Sequence, residues 1–262
     1  MGFIIKRELK KPSENLNDYT LCFVGEKKTG KTSLAAEFPN HFILEFEPGN
    51  ANHLECFAQD IYNWEEAEQA IIQIKEALPD FCETLIIDDI PSAYEYCCLW
   101  ARKFLRLSDD EKLGYTGYDI TLRKFSDWVR SIQSLPIGKI YTAHTQIKDS
   151  ETRTGKTISQ LEPSWSNQCK KVLDKYLTLT GFVMMDDDGN RELRILGDSF
   201  VKANNGFKDH FLVNGVQRSS INLGRSSQEG YQNILKAWKN TKTKPKPTNT
   251  KPRKISLADL NK

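Results

Sequence analysis

Nowhere in this chain of 262 residues do 18 apolar residues run together, which excludes a conventional membrane-spanning helix. No C-x-x-C pair occurs either. The six cysteines are Cys22, Cys56, Cys82, Cys97, Cys98 and Cys169, and the adjacent Cys97 and Cys98 lack zinc-ligand spacing. Reduced thiols in a cytoplasmic protein are therefore expected. No internal repeat is visible, which sets repeat arrays aside. The N-terminus turns charged at Lys6 and Arg7, so no secretory leader is expected there. Net charge is small, +2, but uneven. Residues 241–262 hold six lysines and one arginine against one aspartate, a net of +6, which leaves −4 for the remainder. Such asymmetry is compatible with nucleic-acid contact through the tail, and equally with a solvated tail that aids solubility.

What is present suits one large α/β domain with extensions: 39% of residues are hydrophobic, enough for a sizeable core. Residues 1–18 are polar and charged and read as an N-terminal arm. The body spans 19–240. Beyond Asn240 proline alternates with lysine and apolar side chains are missing up to Lys254. That composition cannot offset chain entropy, and the basic tail 241–262 is expected to be disordered.

Within the body, Gly25-Glu26-Lys27-Lys28-Thr29-Gly30-Lys31-Thr32 fits the phosphate-cradling pattern G-x-x-x-x-G-K-[ST]. Leu21-Cys22-Phe23-Val24 before it reads as a strand, and Ser33 to Phe38 after it as a helix, the context this motif requires. The two glycines let backbone N–H groups turn toward phosphate oxygens. Lys31 is expected to reach the β- and γ-phosphates of ATP, and Thr32 to place its hydroxyl on Mg²⁺.

Strand-like and helix-like segments alternate downstream. Phe42–Phe46 reads as a strand. Trp64, Ala67, Ile71, Ile74 and Leu78 recur at helical steps, with Asn63 and Glu66 as a capping pair. Thr84–Asp88 is a strand, Pro91 suits the first turn of a helix to about Arg106, and Leu122, Phe125, Val129 and Ile132 mark another helix. Lys139–His144 reads as a buried strand. Strands around 177–184 and 191–195 flank the turn signal Asp187-Asp188-Gly189-Asn190. Asp186-Asp187-Asp188-Gly189 lacks the distal glutamate of a calcium loop and reads as a turn. The pattern predicts a mostly parallel central sheet with helices on both faces and a late antiparallel hairpin.

The magnesium site also needs an acid at the end of a buried strand, and Asp88 supplies it beside the P-loop. Asp89 reads better as the cap of the helix that follows, although an acid in that position can also orient water. A second candidate for that task is Glu47, at the rim end of Glu45-Phe46-Glu47-Pro48-Gly49.

This constellation resembles the RecA-like P-loop ATPases of the AAA/RecA superfamily, and is most similar to the phage group that includes Sak-type single-strand annealing proteins. The resemblance covers about 17–215. It implies that Glu47 is the catalytic glutamate, acting with Lys31 and Asp88. Thr142-Ala143-His144-Thr145-Gln146 matches a strand that ends in a γ-phosphate sensor, a role open to His144 or Gln146. Lys202 fits a basic segment that reaches the γ-phosphate of a neighbouring subunit, with Asn204 standing where that segment carries arginine. The resemblance further implies ATP with Mg²⁺, homo-oligomerisation as a ring or filament, and single-stranded DNA bound by loops at about Leu107–Tyr118 and Ile147–Gln168. The first loop offers Tyr115 and Tyr118; the second offers Lys148, Arg153, Lys156 and, for base stacking, Trp165. The expected activity is DNA-stimulated ATP hydrolysis in phage recombination or annealing, in the host cytoplasm and away from membranes. Two other readings stay open: a P-loop kinase, whose usual arginine-rich lid is not found, and a non-hydrolysing nucleotide-dependent loading or switch protein.

Overall fold

A computed structural model describes residue 9 and residues 11–108, 111–151, 155, 157–186 and 188–239. The expectations for the start of the arm, for Arg153, Lys156 and Asp187, and for the tail 241–262 lie outside the described residues.

The first strand, β1 (Thr20–Val24), is buried along its whole length and pairs in parallel on both sides. A strand covered on both faces needs an unbroken apolar run, and Leu21-Cys22-Phe23-Val24 provides one. Its residues alternate between two cores: Cys22 and Val24 face one, Leu21 and Phe23 the other. The P-loop then leads into the short helix α1 (Lys31–Ala35). Next come β2 (His41–Glu45), β3 (Ala58–Asp60) and the helix α2 (Trp64–Ala77). Asn63 caps α2 by accepting from the Glu66 N–H at 3.0 Å, and Trp64, Ala67, Ile71 and Ile74 are buried at the spacing the sequence predicts. The wholly buried β4 (Thr84–Asp88) runs into α3 (Ile90–Phe104), which has Pro91 in its first turn. After α4 (Gly114–Gln133) follow β5 (Gly138–Ala143), β6 (Thr145–Glu151), β7 (Thr157–Pro163) and α5 (Asn167–Leu173). The remaining elements are β8 (Leu179–Met185), β9 (Arg191–Arg194), β10 (Asn204–Asn205), β11 (Leu212–Val213), β12 (Val216–Gln217), β13 (Ser220–Gly224) and α6 (Ser227–Lys239).

The central sheet runs in the order β13-β9-β8-β1-β5-β4-β2-β3, with β10 paired to β8. From β8 to β3 every neighbour is parallel. The β8–β9 hairpin and β13 are antiparallel, as the late turn signal predicts. Helices α2, α3, α4 and α5 cover one face; α1 and α6 cover the other. This is the α/β P-loop nucleotide-binding fold.

Trp128 joins two helices of the first layer: it is buried in α4 and its indole N–H donates to the Ala67 carbonyl of α2 at 2.9 Å. It also packs edge-on against Phe46 at 5.8 Å between ring centroids. Trp128→Ala should lower unfolding free energy by about 3–5 kcal/mol, read as a shifted urea midpoint, because a large cavity opens where the indole joined α4 to α2.

Three expectations are corrected. The segment 107–118 is not all loop: α4 begins at Gly114, so Tyr115 and Tyr118 are exposed residues of its first turns. The segment 147–168 contains the two-stranded hairpin β6–β7 in place of a long loop, paired from Thr145–Pro163 to Glu151–Thr157. Its strands carry few large apolar residues, so the alternation that would reveal them is faint. Trp165 is buried in the core that α2 to α5 cover and is not an exposed platform for a base.

Candidate nucleotide-binding site

Parallel pairing brings the C-terminal ends of β2, β4, β5 and β1 to one rim, where open α/β sheets bind ligands. The interposition of β5 between β1 and β4 is decisive for what gathers there. It places His144, the residue after β5, between the P-loop and the acids that end β4.

The P-loop is shaped by close approaches. Gly25 donates to the Ala143 carbonyl at 3.1 Å, and a Cβ on Gly25 would lie 2.7 Å from the Val183 carbonyl oxygen. Gly30 has φ +85°, a left-handed conformation that glycine adopts without strain. The Thr29 hydroxyl donates to the Glu26 carbonyl at 2.9 Å. Lys31 is buried, and its ammonium donates to the Gly25 and Glu26 carbonyls at 3.0 and 2.9 Å. Burial pulls its pKa below the ordinary lysine value, while the carboxylates of Asp88, Asp89 and Glu47 act in the other direction.

Asp88 is the hub of the rim. It is 1% exposed; its Oδ2 accepts from the Thr32 hydroxyl and from Asn50 Nδ2, both at 2.9 Å, and its Oδ1 from the Thr142 hydroxyl. Asp89 caps α3 as expected, its Oδ1 accepting from the Ser92 N–H at 3.0 Å. Its Oδ2 is buried without a hydrogen bond and lies 3.7 Å from His144 Nε2. Burial raises the Asp89 pKa, with the Ser92 hydrogen bonds opposing and Glu47 adding to the rise. On the other side of His144, Nδ1 is 3.3 Å from the Lys31 ammonium; Nε2 is 3.5 Å from Glu47 Oε2. One imidazole thus links the P-loop lysine to two carboxylates. Ligand atoms of Glu47, Asp89 and His144 all lie within 4.8 Å of one another.

These groups surround a cleft of about 480 Å³. Lys27, Lys28, Gly30, Lys31, Thr32, Ser33, Glu47 and His144 line it, together with Asn50 and His53. The chemistry of the donor set fits a magnesium triphosphate: lysines and loop N–H groups suit phosphate oxygens, while a hydroxyl and a carboxylate are the hard oxygen ligands that Mg²⁺ takes. Gln146 is not part of the lining; its amide donates to the Pro163 carbonyl at 3.1 Å across the base of the hairpin. Lys202 lies elsewhere, paired with Glu162 beside a separate cavity that Asn204 also lines.

Asn50, His53 and Thr142 were not singled out as site residues by sequence reasoning. Thr142 left a signal, a polar residue in a buried strand. Asn50 and His53 follow the acid-ended β2 in a polar turn, which marks a rim loop without saying which side chain turns inward. Glu45, by contrast, does not face the cleft: it is buried, and its Oε2 accepts from the Ala51 N–H at 3.1 Å, holding the turn that carries Asn50.

Fold and rim together define a P-loop nucleotide-binding protein of ATPase type. Residues 17–207 match the family described as an AAA domain, and the chain belongs to that family. No curated protein matches it. Among the described residues no helix is long and apolar enough to cross a membrane.

Proposed function

We propose that this protein is a RecA-like ATPase that binds ATP with Mg²⁺, hydrolyses it, and acts as a homo-oligomer on single-stranded DNA in recombination or annealing. The observation that carries the ATPase reading is the convergence of Lys31, Thr32, Glu47 and His144 around one cleft, with the buried Asp88 accepting from Thr32 directly behind it. Lys31 holds the β- and γ-phosphates and carries charge that develops on them. Thr32 and Asp88 would hold Mg²⁺, which would supply charge that neutralises phosphate oxygens. Glu47 aligns the attacking water, and His144 Nδ1, which faces Lys31, reads the γ-phosphate end of the ligand.

The DNA reading is supported by chain connectivity. The hairpin β6–β7 starts at Thr145, directly after His144, and the Ser164 N–H donates back to the His144 carbonyl at 2.8 Å. His144 is therefore clamped at the base of an exposed hairpin bearing Lys148. A strand of DNA engaged by that hairpin would bear directly on the imidazole beside Glu47. Oligomerisation is supported by the place of Lys202, outside the cleft of its own chain. Serving a neighbour's γ-phosphate would require a ring or filament. The reading of phage recombination in the host cytoplasm rests on the resemblance to Sak-type proteins alone.

ATPase rate measured against protein concentration, with and without single-stranded oligonucleotide, tests the proposal. The rate per chain should rise with concentration and rise again with DNA. A rate indifferent to both would contradict the assembled, DNA-stimulated enzyme while leaving nucleotide binding intact.

A further inference from the structure

The γ-phosphate end of the site is marked by Glu47 and His144 on the cleft and by Asp88 buried behind Thr32, all on the β2–β4–β5 side of the P-loop. The rest of a nucleotide must leave the loop toward β8 and β9. Arg191 stands on that side, first residue of β9, in register with Met185 of β8 and next to Gly224 of β13. Its guanidinium lies against the loop itself: a Cβ built on Gly30 would be 2.7 Å from Arg191 Nη1.

One nitrogen of the same group lacks a partner. Arg191 Nη2 is buried without a hydrogen bond, and among the described residues no carboxylate lies within ion-pair distance of it. Arg194, on the same strand, differs in charge pairing: it meets Asp198 at 2.7 Å and Glu192 at 3.2 Å, although its Nε is also buried without a hydrogen bond. Guanidinium stays charged at any working pH and presents a planar fork of donors suited to phosphate. An unpaired cation of this kind costs free energy unless an anion meets it.

Resting on the nucleotide-site reading above, we propose that Arg191 is a phosphate contact supplied in cis. It meets the nucleotide from the side opposite Asp88, through oxygens that ATP and ADP share, and not through the γ-phosphate. No signal in the sequence marked it: it lies far from the P-loop in the chain, and only the β8–β9 hairpin brings it there.

The test is binding, with the full chain, magnesium and three probes: ATP, ADP and inorganic tripolyphosphate. Arg191→Gln should weaken all three by about ten- to a hundredfold, the range of a charge-assisted hydrogen bond, and keep the ATP-to-ADP affinity ratio. Arg191→Lys, which keeps the charge but loses the fork, should fall between and retain the melting temperature of the unaltered chain. Should Arg191→Gln perturb the fold, a loss of affinity in a normally melting Arg191→Lys carries the proposal. Unchanged affinity in both variants overturns it, as does a loss confined to the nucleotides, which would assign Arg191 to sugar or base. Failure of the unaltered protein to bind any of the three would instead overturn the site reading.

Discussion

Glu47→Gln should cut ATP turnover by about a hundredfold to ten-thousandfold and leave ATP affinity nearly unchanged, as read by steady-state hydrolysis and by nucleotide titration. The isosteric amide keeps the size of the side chain and its approach to His144 Nε2, now 3.5 Å, but cannot accept a proton from water. Glu47 is half-exposed on the cleft, and among the described residues its carboxylate makes no hydrogen bond that holds a structural element, so stability should move little. The substitution also separates the two readings that share this fold. A nucleotide switch that never hydrolyses would show no change in turnover, having none to lose. Asp89→Asn serves as the companion variant. It keeps the Oδ1 acceptor for the Ser92 N–H and tests whether the second acid, 3.7 Å from His144, shares the task.

Asp88→Ala should abolish magnesium-dependent ATP binding and destabilise the fold together. The Asp88 carboxylate receives the hydroxyls of Thr32 and Thr142 and the amide of Asn50. Removing it leaves the buried Thr32 and Thr142 hydroxyls without this acceptor, at about 1–3 kcal/mol for each that finds no new one, while the exposed Asn50 amide can turn to water. Thermal melts and ATP titrations with and without magnesium read the two effects separately. Asp88→Asn isolates the ionic part: one oxygen still accepts, so the loss of stability should be smaller, while magnesium dependence is lost as in the alanine variant.

Much of this rim was visible in the sequence for a physical reason. A phosphate loop must follow a strand and open a helix, so its glycines, Lys31 and Thr32 are fixed by local chain geometry. Asp88 was readable because four buried residues precede it in β4. Asp89 was readable as a cap because Pro91 and the start of α3 follow it. What hid is what depends on contacts between distant segments. Asn50 reaches Asp88 through a turn pinned by the buried Glu45, and nothing in the turn's composition says so. Trp165 looked like a stacking platform in a polar stretch, yet the stretch folds back as β7 and α5 and draws the indole inward. The hairpin β6–β7 hid for a related reason: β6 is largely exposed and β7 is buried only toward its end at Glu162 and Pro163, which leaves little hydrophobic period to read. Cys22, Cys97 and Cys169 are free, buried thiols whose pKa burial drives upward, so they are poor nucleophiles.

Calorimetric titration of the full chain with ATP, with magnesium present and then chelated, tests the central claim most directly. The account predicts saturable binding of one nucleotide per chain that weakens sharply when magnesium is removed and is lost in Lys31→Ala. Absence of any binding heat under both conditions, or binding that Lys31→Ala leaves untouched, would contradict it.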